Sequence, residues 1–392
     1  MPSARPLRLF MVAGEHSGDR LGGPLIHALR SKARRPLELE GIGGEAMAEA
    51  GCPSLFPLSD IAVMGPLAIL YRLPHLARRV YQAVDAVVEM KPDALVILDS
   101  PEFTHAVAKR VRRKLPRLPV IDYVSPSVWA WRPGRAHRMR AYVDHILAIL
   151  PFEPEAHERL GGPDCTYVGH PLVERMDWIA ALKPEKMRQR LGLPKTDRVL
   201  AVLPGSRVTE IERMMPVYGA TVSRLVEQAG PLEVVMPAAA GSEALLEKHI
   251  SGWPVKPHVL TGEEDKFTAF RLANAALATS GTVTLELAVT GVTMVVAYKS
   301  DIIVSLLRGM LQAHSFVLPN LVLGHNAFPE FFQEKAVPEN LIEALLPLFD
   351  PGSDVRKKQV AALGEIKKKM ALGSGTPSGK AADVILRLVN SG

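Results

Sequence analysis

A chain of 392 residues exceeds one typical hydrophobic core, so length alone points to two or three domains. Hydrophobic residues make up 47% and charged residues 22%, which excludes a disordered or fibrous polypeptide; two cysteines, Cys52 and Cys165, exclude a disulfide framework and a cysteine-rich zinc site. The net charge of +6 suits an acidic partner such as phosphate, an anionic membrane surface or nucleic acid, although a merely solvated basic surface gives the same number.

In chain order, Arg5 and Arg8 lead into "LFMVA", which is shorter than a signal-peptide core and reads as a first strand. "AGEHSGD" (13–19) follows, with Gly14 and Gly18 placed for a tight turn and Ser17 between them, before a helical stretch whose free N–H groups suit anions. It lacks the G-x-G-x-x-G spacing, and an ordinary strand-to-helix turn has the same composition. The stretch 61–79 is apolar and then basic, as in a helix lying on lipid or an amphipathic helix of the fold. "DALVILDSPEF" (93–103) puts Asp99 just past a buried strand, where it can act as a general base or cap the helix beginning near Pro101. "SPSVWAWRPGRAHRMR" (125–140) joins Trp129 and Trp131 to Arg132, Arg135, Arg138 and Arg140; tryptophans can bracket an amphipathic ligand while arginines hold phosphate, or they are core and solvated face. Two more strand-length runs, 144–153 and 165–171, complete this half.

The strand–helix rhythm breaks over 172–195, where a hinge is expected, and then restarts. "RVLAVLPGSR" (198–207) ends a strand in Ser206 and Arg207, ahead of a helix opening at Thr209–Glu210. That is a reasonable diphosphate site, too short for a Walker loop and without its lysine. "SGTVTLE" (280–286) is a second such turn, with Ser280, Gly281 and Thr282 followed by Glu286. Glu286 is the one charged residue between 278 and 298; it can accept hydrogen bonds from two neighbouring hydroxyls, as on a ribose, or cap the helix. Strands alternating with helices in both halves predict parallel sheets and two Rossmann-like halves. The boundaries expected are 1–175, 176–365 and a closing helix within 366–392.

No uninterrupted apolar run reaches the length of a membrane span. RNP, KH and helix-turn-helix signatures are absent, so no nucleic-acid partner is expected. No D-x-D, H-E-x-x-H or His/Cys cluster occurs, so neither a metal nor another cofactor is expected.

"AGEHSGD", "SPSVWAWRPGRAHRM", "LPGSR", "SGTVTLE", "MVVAYK" and "LPNLVLGHNAFPEFFQE", in this order, resemble the lipid-A-disaccharide synthase family over residues 9–334. The resemblance implies an α/β GT-B fold, two Rossmann-like domains facing across a cleft. It implies an inverting, metal-independent transfer of 2,3-diacylglucosamine from UDP onto 2,3-diacylglucosamine 1-phosphate (lipid X), giving the β-1,6 disaccharide 1-phosphate and UDP in lipopolysaccharide synthesis. The site would be cytoplasmic, peripheral on the inner face of a Gram-negative cytoplasmic membrane with an anionic surface; a homodimer is among the assemblies left open. By motif, Asp99 is implied as the base on the acceptor 6-hydroxyl. The UDP-sugar would be bound by Gly14, Ser17, Ser206, Arg207, Ser280, Gly281, Thr282, Glu286 and Asn320. The acceptor phosphate would fall to Trp129, Trp131, Arg132 and Arg135, and membrane contact to Val63, Met64, Leu67, Ile69, Leu70 and Tyr71. Two positions depart from the family pattern: His16, where a small residue is usual, and His325, where an arginine is usual. A lipid II-forming transferase or a UDP-N-acetylglucosamine 2-epimerase shares the two-domain pattern but not the 125–140 segment. A non-catalytic membrane-associated UDP-binding protein would not need Asp99.

Overall fold

The computed structural model describes residues 5–62, 66–194, 198–300 and 313–390, with only the backbone at 66–70. The chain divides into two compact units, Met1–Val173 with Leu372–Gly392, and Glu174–Ala371.

The first unit holds β1 (Leu7–Ala13), β2 (Leu37–Ile42), β3 (Ala94–Leu98), β4 (Val120–Tyr123), β5 (His145–Ala148) and β6 (Asp164–Tyr167), all parallel in the order β2-β1-β3-β4-β5-β6. The strands read as continuous apolar runs because both faces are covered. Leu9 and Met11 of β1, with Val96 and Leu98 of β3, pack against the helices His16–Lys32 and Pro377–Asn390. The alternate residues, Phe10, Val12, Leu95 and Ile97, pack against the helices Pro66–Met90 and Pro101–Lys114. Each such fully buried side chain contributes about 1.5–3 kcal/mol relative to exposure.

The segment 366–392 differs from the single closing helix expected. The helix Asp354–Met370 belongs to the second unit, whereas Pro377–Asn390 belongs to the first. The reason is apolar spacing: Ala381, Ala382, Val384 and Ile385 form a stripe that completes the cover over β1 and β3, and Lys32 pairs with Asp383 at 2.7 Å.

The second unit holds β7 (Val199–Leu203), β8 (Glu233–Pro237), β9 (His258–Leu260), β10 (Ala275–Thr279), β11 (Thr293–Tyr298) and β12 (Glu330–Phe332), parallel in the order β12-β11-β10-β7-β8-β9. β12 pairs with β11 only from Val296 onward, which would strand the backbone of Met294. The buried carboxamide of Gln359 completes it, accepting from Met294 N–H at 2.8 Å and donating to its carbonyl at 3.1 Å.

In a doubly wound parallel sheet the ligand crevice opens beyond the carboxyl ends of the strands, where the winding reverses. That point lies between β1 and β3 in the first unit and between β7 and β10 in the second. These are the four strands whose carboxyl ends carry "AGEHSGD", "DSPEF", "PGSR" and "SGT…E".

Candidate active site

In the first unit, the turns after β1 and β3 are in contact. Gly14 N–H donates to the Leu98 carbonyl at 3.2 Å. A Cβ on Gly14 would stand 2.4 Å from Ser100 Cβ, and one on Gly18 would stand 2.7 Å from the Leu98 carbonyl oxygen. Neither glycine has a left-handed φ. Their spacing serves close approach of two turns rather than the tight turn expected. Gly14, expected against the donor, is buried against Ser100. Asp19 closes the motif in a structural role: its buried carboxylate takes the N–H groups of Gly44, Ala46 and Met47 at 2.7, 3.1 and 3.0 Å, fastening the turn after β2.

Asp99 and Ser100 are consecutive non-glycine residues with left-handed φ, 56° and 41°. Such backbone costs roughly 1–3 kcal/mol per residue and concentrates where function demands it. The surroundings enforce it. Asp99 N–H donates to the Tyr123 carbonyl at 3.1 Å, and the Thr104 hydroxyl donates to the Asp99 carbonyl at 2.8 Å. Two donors orient the carboxylate: Ser17 Oγ at 2.5 Å from Oδ2, and Ser100 N–H at 2.7 Å from Oδ1. Ser17 thus meets Asp99 directly, a pairing that its motif gave no reason to expect. The alternative role as helix cap is not taken, since the cap position of Pro101–Lys114 is Ser100.

In the second unit, Gly205 has φ 113° and turns the chain after β7. Glu210 then occupies the loop. Its Oε2 accepts from Ser206 N–H at 3.1 Å and Arg207 N–H at 3.2 Å, while Oε1 pairs with the Arg207 guanidinium at 3.0 Å. Of the expected diphosphate turn, the backbone amides are therefore occupied. The amides of Ser206 and Arg207 are taken because Glu210 falls in the first turn of the helix Val208–Ala229, where a carboxylate closes a capping box. The loop presents the Arg207 side chain instead, 68% exposed.

After β10, Gly281 and Thr282 are exposed at the start of the helix Thr282–Thr290, whose amino end carries partial positive charge. Ser280 Oγ donates to the Phe316 carbonyl at 2.6 Å, tying this turn to 315–330. Glu286 lies one turn in, its side chain 16% exposed, with Oε1 2.9 Å from Lys266 Nζ on the helix Glu263–Leu272. A partner from outside the apolar stretch therefore compensates its lone carboxylate. Among the described residues no group of three or more His, Cys, Asp or Glu converges as a metal site.

Asn320 is fully buried. Its Oδ1 accepts from Ala327 and Phe328 N–H, both at 3.0 Å, and its Nδ2 donates to the Phe328 carbonyl at 3.0 Å. Expected as a lining residue of the pocket, it instead shapes the 324–328 loop that exposes His325. His16 is likewise exposed, at the start of its helix.

The 125–140 segment separates into parts. Trp129 donates to Glu153 at 3.2 Å and meets Phe152 edge-on at 5.1 Å, so part of its ring belongs to the packing. Arg132 stacks over Trp131, its guanidinium 5.4 Å from the ring centroid. Arg135 turns back to the Pro101 carbonyl at 3.3 Å, two residues beyond Asp99. Of the expected membrane contacts, Val63 and Met64 lie outside the described residues. Leu67, Ile69 and Leu70 fall on the first turns of Pro66–Met90, and Tyr71 is 86% exposed. No helix among the described residues is long and apolar enough to cross a membrane.

Burial of Glu153 pushes its carboxyl from an ordinary 4.5 up to about 7, against the bonds from Leu150 and Trp129 that favour the charged form. The folded state therefore holds this proton more tightly than the unfolded chain. That stabilisation is complete below about pH 4.5 and is lost as pH rises through about 7. Glu153→Gln removes the titration. Its melting temperature relative to the parent should rise between pH 5 and pH 8, reflecting on the order of 3 kcal/mol. Parallel melting curves across that range would contradict the buried proton.

The sequence model of the lipid-A-disaccharide synthetase family matches residues 9–384. The chain belongs to this family. A lipid-A-disaccharide synthase from Nitrobacter winogradskyi is 47% identical over 386 residues, covering 98% of this chain and 96% of that one. One from Rhodopseudomonas palustris (strain HaA2) is 46% identical over 383 residues, covering 97% and 96%. Solved structures similar to the chain include a Neisseria meningitidis UDP-GlcNAc 2-epimerase bound to UDP-GlcNAc (TM-score 0.62, 12% identity, 98% and 100% covered). Acinetobacter baumannii MurG is another (TM-score 0.58, 12% identity, 99% and 100% covered). At such identities they show the fold alone, which is GT-B. As a lipid-A-disaccharide synthase, the chain is a glycosyltransferase of lipid A biosynthesis.

Proposed function

We propose that the chain transfers 2,3-diacylglucosamine from its UDP conjugate to the 6-hydroxyl of lipid X, with inversion and without a metal ion. The observation that carries this reading is the strained Asp99, its carboxylate held by Ser17 and Ser100 at the switch point of the first unit. Asp99 takes the proton of the 6-hydroxyl as that oxygen attacks the anomeric carbon. The bond from that carbon to the diphosphate breaks on the opposite face, and UDP leaves. The departing charge is met by the exposed Arg207 side chain and by the amino end of Thr282–Thr290. Glu286 accepts the ribose hydroxyls, with Lys266 compensating its charge in the absence of nucleotide. The exposed Tyr71, with Leu73 and the arginines of the same helix, suits peripheral contact with an anionic inner-membrane face, where the acylated substrates reside.

The test is direct. Purified protein with UDP-2,3-diacylglucosamine and lipid X in excess EDTA should yield the tetra-acyl disaccharide 1-phosphate by mass spectrometry. No product, with UDP still bound, would point to another acceptor. For the donor side, Glu286→Ala should raise the Kd for UDP by about tenfold in calorimetry, the worth of one charge-assisted hydrogen bond. An unchanged Kd would remove Glu286 from the ribose.

A further inference from the structure

Behind the Asp99 turn lies a buried row of polar side chains that the reaction above does not use. His105 and Asp122 are both almost fully buried, with Nε2 3.1 Å from Oδ2, a close approach whose direction is not that of a hydrogen bond. The other ring nitrogen of His105 lies 3.1 Å from the Tyr142 hydroxyl. The Asp122 charge favours a proton on Nε2, which leaves Nδ1 as an acceptor. The Tyr142 hydroxyl then donates inward to His105 and turns its lone pairs outward. Burial pushes the Tyr142 phenol up, and the neighbouring Arg135 draws it back down.

Cations gather around the outer end of this row. Lys109 Nζ stands 4.9 Å from the centre of the Tyr142 ring. Its ammonium is held below its ordinary range, first by burial and then by the charges of Arg135 and Arg138. Arg110 is turned toward the Tyr81 ring, and Arg138 is tethered to the Gly134 carbonyl at 3.1 Å. The acid that meets Arg135 there is Glu102, 3.4 Å away and itself largely exposed. Lys109, Arg135 and Arg138 thus feel one another as like charges with Glu102 the one acid opposing them among the described residues, an arrangement that self-repulsion disfavours until an anion joins it.

We propose that Lys109, Arg135 and Arg138 bind the phosphomonoester of the acceptor, with Tyr142, His105 and Asp122 positioning Arg135. This rests on the acceptor reading above and relocates the phosphate from Arg132, which stacks on Trp131, to the cluster beside Pro101. Arg135 reaches the Pro101 carbonyl, and Pro101 follows Asp99 by two residues, at most about 7 Å of extended chain, so one arginine of the cluster is tied to the turn that carries the base.

The experiment compares lipid X with the same acceptor lacking its phosphate, using the ratio of kcat/KM values for the two as readout. Lys109→Ala and Arg138→Gln should each lower that ratio about tenfold. Tyr142→Phe, which keeps the ring and loses only the hydroxyl, should lower it about threefold. A purely structural role would depress both acceptors alike; an unchanged ratio would overturn the assignment. Unchanged ratios together with weaker flotation on phosphatidylglycerol vesicles would assign the cluster to a lipid headgroup, and would also overturn it. Failure of the parent enzyme to join lipid X at all would sink the acceptor reading itself, an outcome distinct from either.

Discussion

Asp99→Asn should lower kcat roughly a thousandfold while leaving the Kd for UDP within twofold of the parent, the loss expected when a general base is removed from proton transfer. Asparagine is the informative replacement for a structural reason. The residue sits at φ 56°, a conformation that asparagine tolerates better than other side chains do. Its carbonyl oxygen can still accept from Ser100 N–H while its Nδ2 donates to the Ser17 hydroxyl, so the turn after β3 keeps its shape. Alanine would confound lost basicity with relaxation of a strained turn. The paired measurements are initial rates with saturating donor and acceptor, and UDP binding by calorimetry. Retention of more than a tenth of the parent rate would remove Asp99 from proton transfer. Loss of UDP affinity would mean that the substitution had disturbed the fold.

The second large effect belongs to Arg207. Its Nη1 pairs with Glu210, but the side chain is 68% exposed, and a surface pair of that kind adds at most about 1 kcal/mol to stability. Arg207→Gln keeps the backbone N–H that Glu210 accepts, so the capping box of Val208–Ala229 survives. The melting temperature should hardly move. Turnover should fall on the order of a hundredfold, because a fixed positive group facing a departing diphosphate acts mainly in the transition state. An unchanged kcat would leave the amino end of Thr282–Thr290 as the counter-charge. A large loss of stability would instead show that the arginine matters chiefly as part of the cap.

The contrast between these two residues shows what was legible in the sequence. Asp99 and Arg207 each follow a run of apolar residues, and the end of a parallel strand is where a doubly wound sheet exposes side chains. The strand pattern thus led to the four turns at the two switch points. Partners distant in the chain carried no such mark. Lys266 is 20 residues from Glu286, and Trp129 is 24 residues from Glu153; each pair forms only when separate helices or loops pack together. Glu210 was visible within its motif but was read with the helix and not as the group that fills the loop. Asn320 gave no local sign that its carboxamide would be consumed by Ala327 and Phe328. The glycines of "AGEHSGD" were legible as special, yet their reason is the adjacent turn of β3, which lies some 80 residues away in sequence.

The measurement that tests the central claim most directly is the anomeric configuration of the product. The α-linked UDP-2,3-diacylglucosamine and lipid X are joined by the parent enzyme, and the new linkage is assigned by proton–carbon NMR. Attack by a 6-hydroxyl that Asp99 deprotonates, opposite the diphosphate, predicts a β linkage from C1 to O6. An α linkage, or one to another hydroxyl, would contradict single displacement with Asp99 as the base.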